Sequence, residues 1–429
     1  MKGKNKISRY LFAGILIILF APMLFMQLSF IKIMPLRGAI TKIEKPKLTF
    51  ATWFSEDFQA GSEKYLNQNF GFRNFFVRLN NQLKYTLFNT AQANGVIIGK
   101  QQYLYEESYI LAYLGKDFIG EKEIAEQMRK LRTIQDSLKK HNIDIILAFA
   151  PGKGSFYPEY IPDKYDTINS ITNHQVYVEQ AKLNQVNYID FSSWFINKKD
   201  TSKYHLYPKT GIHWSYYGAN IATDSLVSYI ETLRVIDMPD MIWDTIEVRS
   251  EPYGVDNDIE QGMNLLASIP NFAMPYPKIT IRQENKTKPK AIVVADSYYW
   301  QLHNAGYSKK IFDQGEFWFY NNQVYPPRSE DGTKVKDLNL LDEIYQQDVI
   351  ILMCTEPFLK RKFWGFIDDL YDEVINDDPT NRAIQEIISK ILSNKEWTEE
   401  IRQKAKEKDI AFEEMLQLDA AYILKQKRD

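Results

Sequence analysis

The stretch Ala291-Ile292-Val293-Val294-Ala295-Asp296-Ser297-Tyr298-Tyr299-Trp300 decides how this chain is read. Its first five residues are uncharged aliphatics rich in β-branched side chains, the composition of a short buried strand. Ser297 stands just past the carboxyl end of that run. In an open parallel sheet this edge is where ligands bind and chemistry gathers, so Ser297 is a candidate nucleophile. A serine hydroxyl is a poor nucleophile at its own pKa and needs an adjacent base. The chain has five histidines. One of them, His213, lies in the block Lys-Thr-Gly-Ile-His-Trp-Ser-Tyr-Tyr-Gly-Ala (209–219) and is the candidate partner.

Outward from this strand the pattern is α/β. Further strands are expected at Ile143–Ala150, Val186–Ile189, Glu316–Tyr320 and Asp348–Met353. Helical spacing appears over Glu121–His141, with Ile124, Met128, Leu131, Ile134 and Leu138 on one face, and over Ser170–Leu183 and Tyr217–Leu233. Strands alternating with helices imply a mostly parallel sheet covered on both faces. We assign this domain to residues 91–376. Residues 32–90 read as a membrane-proximal helical segment. In it Leu66, Phe70, Phe75, Leu79 and Leu83 form an amphipathic face packed on the main domain, with Gly71 as an interruption. From 377 to 429 the composition shifts to a small helical appendage broken near Asn394 and Asp409, with Ile384, Ile387, Ile388, Ile391 and Leu392 inside.

The amino terminus suggests a location. Lys2, Lys4, Lys6 and Arg9 precede an uncharged stretch, Tyr10–Ile31, whose length matches the roughly 20 residues a membrane helix needs. Basic residues before the span predict residues 1–9 in the cytoplasm, 10–31 as a single-pass inner-membrane anchor, and the rest periplasmic or extracellular. A cleaved signal peptide has a shorter apolar core, about 7–15 residues, followed by a small-x-small site that residues 27–32 lack. A net charge of −2 gives no footprint for nucleic acid. The single cysteine, Cys354, cannot form an intrachain disulfide.

Other strand ends also carry polar side chains that would gather at the same edge: Lys153, Asn321, Asn322, Thr355 and Glu356. An oxyanion would be met by the backbone N–H of Ser297 and an amide such as Asn322. Gly152-Lys153-Gly154-Ser155 lacks the spaced first glycine of a phosphate-binding loop. Asp256, Asp258 and Glu260 look like part of a calcium loop, but Gln261 stands where glycine is needed. No His/Cys cluster suggests zinc, so no metal is expected.

Taken together the motifs form a set. Ala295-Asp296-Ser297 resembles the Gly-Asp-Ser block of SGNH hydrolases. NFGFRN (69–74), VIIGKQQYLYE (96–106) and AFAPGKGSFYPEYIP (148–162) accompany the histidine block and VVADSYYW (293–300). Over residues 60–360 these stretches resemble the alginate O-acetyltransferase family (AlgJ/AlgX-like), whose SGNH-hydrolase-like domain is a three-layer α/β/α fold. The resemblance implies acetyl transfer to hydroxyls of a cell-envelope or secreted polysaccharide, through an acyl-enzyme on Ser297 with His213 as base. It also implies no cofactor, and an acetyl donor supplied by a membrane-bound O-acyltransferase partner. An esterase on the same glycan is the alternative. The family places an aspartate two residues before the histidine, whereas this chain has Gly211. Three readings stay open: a Ser–His dyad; a substitute acid, with Asp296, Asp190 and Asp258 as candidates; or a non-catalytic domain that only binds glycan or scaffolds an assembly.

Overall fold

Apolar runs of five or six residues build the centre of the molecule. In the computed structural model, which describes residues 2–27, 34–38, 43–165, 170–377 and 379–428, ten strands form among the described residues. They are β1 (Val96–Ile98), β2 (Leu104–Glu106), β3 (Asp144–Ala150), β4 (Tyr188–Asp190), β5 (Asp240–Arg249), β6 (Met274–Arg282), β7 (Lys290–Ala295), β8 (Asp313–Phe319), β9 (Gln323–Tyr325) and β10 (Val349–Thr355). The main sheet has the order β4-β3-β10-β7-β8-β9. All neighbours are parallel except β9, which returns antiparallel to β8. Met353 of β10 lies opposite both Ala148 of β3 and Ala295 of β7, so the carboxyl ends of the three central strands finish together.

Alternation along these strands feeds two cores. Ile146, Ala148, Val293, Ala295, Ile351 and Met353 face one layer, with Ala222, Leu226 and Ile230 of the helix Tyr216–Arg234. Ile145, Leu147, Ile292, Val294, Ile350 and Leu352 face the other. There they meet Met128, Leu131 and Ile134 of Glu121–Lys139 and Ile367 and Leu370 of Phe366–Asp377. The result is the expected three-layer α/β/α arrangement. Leu352 is fully buried, so Leu352→Ala would cost about 2–5 kcal/mol.

Several expectations shift. The strand read at 316–320 starts at Asp313 and ends at Phe319, leaving Tyr320 with φ +53° outside it. The β1–β2 hairpin and the β5–β6 ribbon, both antiparallel, were not expected. The segment around 66–83 is two helices, Asp57–Asn69 and Arg73–Phe88, separated at 70–72. Its apolar face is not the docking face: Leu66, Phe70, Phe75 and Leu83 are exposed. Instead the second helix docks through polar groups aimed at loop carbonyls. Arg78 donates to Leu265 O (3.0 Å) and Pro35 O (2.8 Å), and Asn81 to Met263 O (2.9 Å).

Residues Lys2–Gln27 are helical, whereas 28–31 of the expected anchor lie outside the described residues. Among the described residues no helix is long and apolar enough to cross a membrane. The appendage is three helices, Pro379–Ser393, Lys395–Glu407 and Phe412–Arg428, with breaks where expected. They enclose Ile387, Ile388, Ile391, Ile401, Met415 and Leu416; Ile384 is only partly covered and Leu392 is exposed.

Candidate active site

Ser297 follows β7 at the start of a helical turn, 297–299, that continues into Trp300–Asn304. Asp296 holds this corner. Its Oδ2 accepts from the backbone N–H (2.7 Å) and hydroxyl (2.6 Å) of Thr355, and its Oδ1 from Tyr298 N–H (3.0 Å). These bonds tie the end of β7 to the end of β10. Burial pushes the Asp296 carboxyl above its ordinary value, against the pull of those bonds. With its oxygens so engaged, Asp296 is a corner post and not the acid that orients the histidine.

His213 meets Ser297 from the loop before Tyr216–Arg234. Ser297 Oγ lies 3.0 Å from His213 Nε2, and His213 Nδ1 lies 2.5 Å from Asp258 Oδ2. With Nδ1–H donating to the carboxylate, Nε2 is left to accept the serine proton. Asp258 Oδ1 accepts in turn from Ile212 N–H (2.9 Å) and Ile259 N–H (2.7 Å). The His213 and Asp258 side chains are 14% and 27% exposed, so the group is pinned yet open to solvent. Burial lowers the imidazole pKa, but Asp258, with smaller help from Asp296 and Glu106, outweighs it. The net shift is upward from 6.5.

The family's aspartate is missing from position 211 for a steric reason. A Cβ there would stand 2.2 Å from Val255 O and 2.9 Å from the carbonyl carbon of Asp256. Glycine lets the turn at 254–257 lie against the histidine loop, and that same turn delivers Asp258. The carboxylate beside His213 comes from another segment, and position 211 is where that segment seats.

Lys153 was expected at the substrate. It is fully buried instead, donating to Lys209 O (2.8 Å) and Gly211 O (2.5 Å). Burial pulls its pKa down to about 7. It braces the backbone leading into His213, as does Tyr298, whose hydroxyl donates to Ile212 O (2.6 Å). Asp256 is also buried, and burial raises its carboxyl to about 8. Protonated at neutral pH, it keeps a second negative charge away from Asp258.

The expected amides do not serve Ser297. Asn321 donates to Trp364 O (3.2 Å), and Asn322 is exposed on the turn into β9. The side chain that reaches Ser297 from this strand end is Tyr320, whose hydroxyl is pushed up to about 12, chiefly by burial. No sequence signal marked it, because Tyr320 reads as the last residue of an aromatic strand. Asp190 and Glu356 belong elsewhere. Asp190 accepts from His174 (2.9 Å) and caps the helix Phe191–Lys198, while Glu356 accepts from the hydroxyls of Ser155 and Ser192. The strand ends therefore serve two places, not one.

Residues 96–275 match the family model described as the SGNH hydrolase-like domain of the acetyltransferase AlgX. That stretch contains His213 and Asp258 and ends before Ser297. The chain is 25% identical over 233 residues to the probable alginate O-acetylase AlgJ of Pseudomonas syringae pv. tomato, covering 54% of this chain and 56% of that protein. It is 25% identical over 178 residues to the probable alginate O-acetylase AlgJ of Pseudomonas aeruginosa, covering 41% and 43%. The chain thus spans about half the length of the curated relatives it matches. Among solved structures, the O-acetyltransferase domain of Pseudomonas putida AlgJ is similar at a TM-score of 0.44 and 16% identity, covering 65% of this chain and 99% of that one. Over residues 96–275 the chain is thus similar to the SGNH hydrolase-like domain of the acetyltransferase AlgX, and over about half its length to the probable alginate O-acetylases AlgJ.

Proposed function

We propose that this protein is an extracytoplasmic O-acetyltransferase that modifies hydroxyl groups of a polysaccharide. The observation that carries the reading is the hydrogen-bonded line Ser297–His213–Asp258. In the first step Ser297 Oγ attacks an acetyl carbonyl while its proton passes to His213 Nε2. The imidazolium then gives that proton to the departing group, leaving an acetyl ester on Ser297. In the second step a sugar hydroxyl gives its proton to the same nitrogen and attacks the ester, and Ser297 leaves with the proton. Asp258 holds the imidazole in the receiving tautomer throughout. The Ser297 N–H, at the head of its helical turn, would donate to the oxyanion.

An acid in hydrogen-bond contact with His213 speaks against the reading of a binding domain with a degraded triad. The curated relatives' names support acetyl transfer over hydrolysis. In this reading residues 10–31 anchor the chain in the inner membrane, and a membrane-bound O-acyltransferase supplies the acetyl group. A reporter fused after residue 40 should then be active only outside the cytoplasm.

The test of the chemistry is Ser297→Ala in the producing cell. Acetyl content of the exopolysaccharide should fall to background while the variant protein accumulates normally. Unchanged acetylation would remove the catalytic reading.

A further inference from the structure

The polar strand ends that do not reach Ser297 line a cavity of ≈430 Å³ at the β3–β4 side of the sheet, bounded by Tyr113, Ser155, His174, Asp190, Ser192 and Glu356. Its size lies within the range of about 300–1,000 Å³ that small-molecule sites occupy. The lining is rigidly set. Glu356 and Ser192 are almost completely buried. One Glu356 oxygen accepts from Ser192 Oγ at 2.5 Å and the other from Ser155 Oγ. His174 Nε2 is 2.9 Å from Asp190 Oδ1, which also accepts from Ser193 N–H at 3.0 Å. Gly152 lets Glu356 come this close: a Cβ there would stand 2.6 Å from its Oε2. None of these groups contributes to the Ser297–His213–Asp258 line.

The character of the lining selects a ligand. Two carboxylates offer acceptor lone pairs beyond those already used, and the serine oxygens and Tyr113 add hydroxyls that both give and take. Among the described residues no lysine or arginine lines the space, and its one imidazole, His174, is already paired with Asp190. Val178 and Ile196 supply apolar wall beside the Tyr113 ring. Clustered acceptors, hydroxyls and a ring face suit a polyhydroxylated ring. A ligand bearing its own carboxylate would meet like charge from Asp190 and Glu356.

We propose that this cavity is a sugar-binding subsite for a neutral pyranose unit, one that rejects a uronate. The inference rests on the polysaccharide reading above and adds to it a second point of attachment, off the catalytic line. A chain held there would be presented to Ser297 at another of its units.

The test uses the full chain and two probes without acetyl groups, a trisaccharide of neutral hexoses and a trisaccharide of hexuronic acids. Calorimetry measures affinity, and the ring nitrogen signals of His174 and His213 report where each probe lands. The neutral probe should bind at least about tenfold more tightly than the uronate and shift the His174 signals. Asp190→Asn and Ser192→Ala should each weaken it by about tenfold while leaving hydrolysis of a small acetyl ester unchanged. Equal affinity for the uronate, or neutral-probe binding indifferent to both variants, would overturn the proposal. Shifts at His213 alone would remove the subsite and leave acetyl transfer to glycan standing. Shifts at neither histidine would also overturn it, and the separate Ser297→Ala acetylation result would then decide the parent reading.

Discussion

Replacing Asp258 by asparagine tests the acid without changing its shape. Asp258 Oδ1 accepts from Ile212 N–H at 2.9 Å and Ile259 N–H at 2.7 Å. An amide oxygen can keep both bonds. Its NH₂ then faces His213 Nδ1, a donor against a donor. The imidazole must move its proton to Nε2, the nitrogen that has to receive the proton of Ser297. In a serine protease the same exchange costs about four orders of magnitude, or roughly 5.5 kcal/mol of transition-state stabilisation. The Asp258 side chain is 27% exposed, so water offsets part of that, and the expected loss in kcat is about 10²–10⁴. The assay is hydrolysis of a chromogenic acetyl ester across pH, with circular dichroism confirming an unchanged fold. The base must be neutral to act, so wild-type rate rises with pH through a midpoint above 6.5, the direction in which the imidazole is shifted. In the variant the main upward influence is gone, so the midpoint moves down while the plateau falls. A variant within about threefold of wild type at every pH would refute the assignment of Asp258.

Three further outcomes are expected. Gly211→Ala places a methyl 2.2 Å from Val255 O; it should cost about 1–3 kcal/mol of stability and lower turnover as well, because the displaced turn carries Asp258. A thermal midpoint and a rate both equal to wild type would contradict this. Lys153→Met leaves the carbonyl of Gly211 without its donor, while that of Lys209 keeps the Leu104 N–H; denaturant unfolding should show a loss of about 1–3 kcal/mol. Asp256 has a folded pKa raised to about 8 by burial, against about 3.9 unfolded. The folded state thus binds the extra proton, and wild-type stability falls as pH climbs from about 4 to about 8. Asp256→Asn should remove that slope and gain up to a few kcal/mol at pH 8; parallel stability curves for the two proteins would show the reasoning to be wrong.

What could be read from the chain follows from what physical signal each element leaves. β3, β7 and β10 are buried on both faces, so unbroken aliphatic runs betray them. Ser297 was legible as the residue after such a run, and His213 as one of five histidines, set in an aromatic block. The β5–β6 ribbon was not. Much of it is exposed, and Pro275 and Pro277 argue against a strand; they are tolerated because this two-stranded ribbon has free edges. The acid was nameable only as one of three. Asp258 lies 45 residues from His213 in a turn with no motif, and only the fold brings it back. Gly211 was itself the clue, since a glycine in place of a functional side chain often marks a close backbone approach. Asp190 and Glu356 pointed correctly to strand ends, but the order β4-β3-β10-β7 puts Asp190 on the far side of β3, and Glu356, just past β10, turns its side chain to Ser155 and Ser192. Strand order leaves no mark on local sequence.

One carboxylate here does two jobs at once. Asp258 clips together backbone segments 46 residues apart, and it also fixes the proton on the imidazole. On the proposed mechanism the base is armed only when the 254–257 turn has seated on Gly211, so acyl-transfer rate would gauge that docking step. Gentle warming that lifts the turn should silence the enzyme while the six-stranded sheet still stands, and cooling should restore it without refolding.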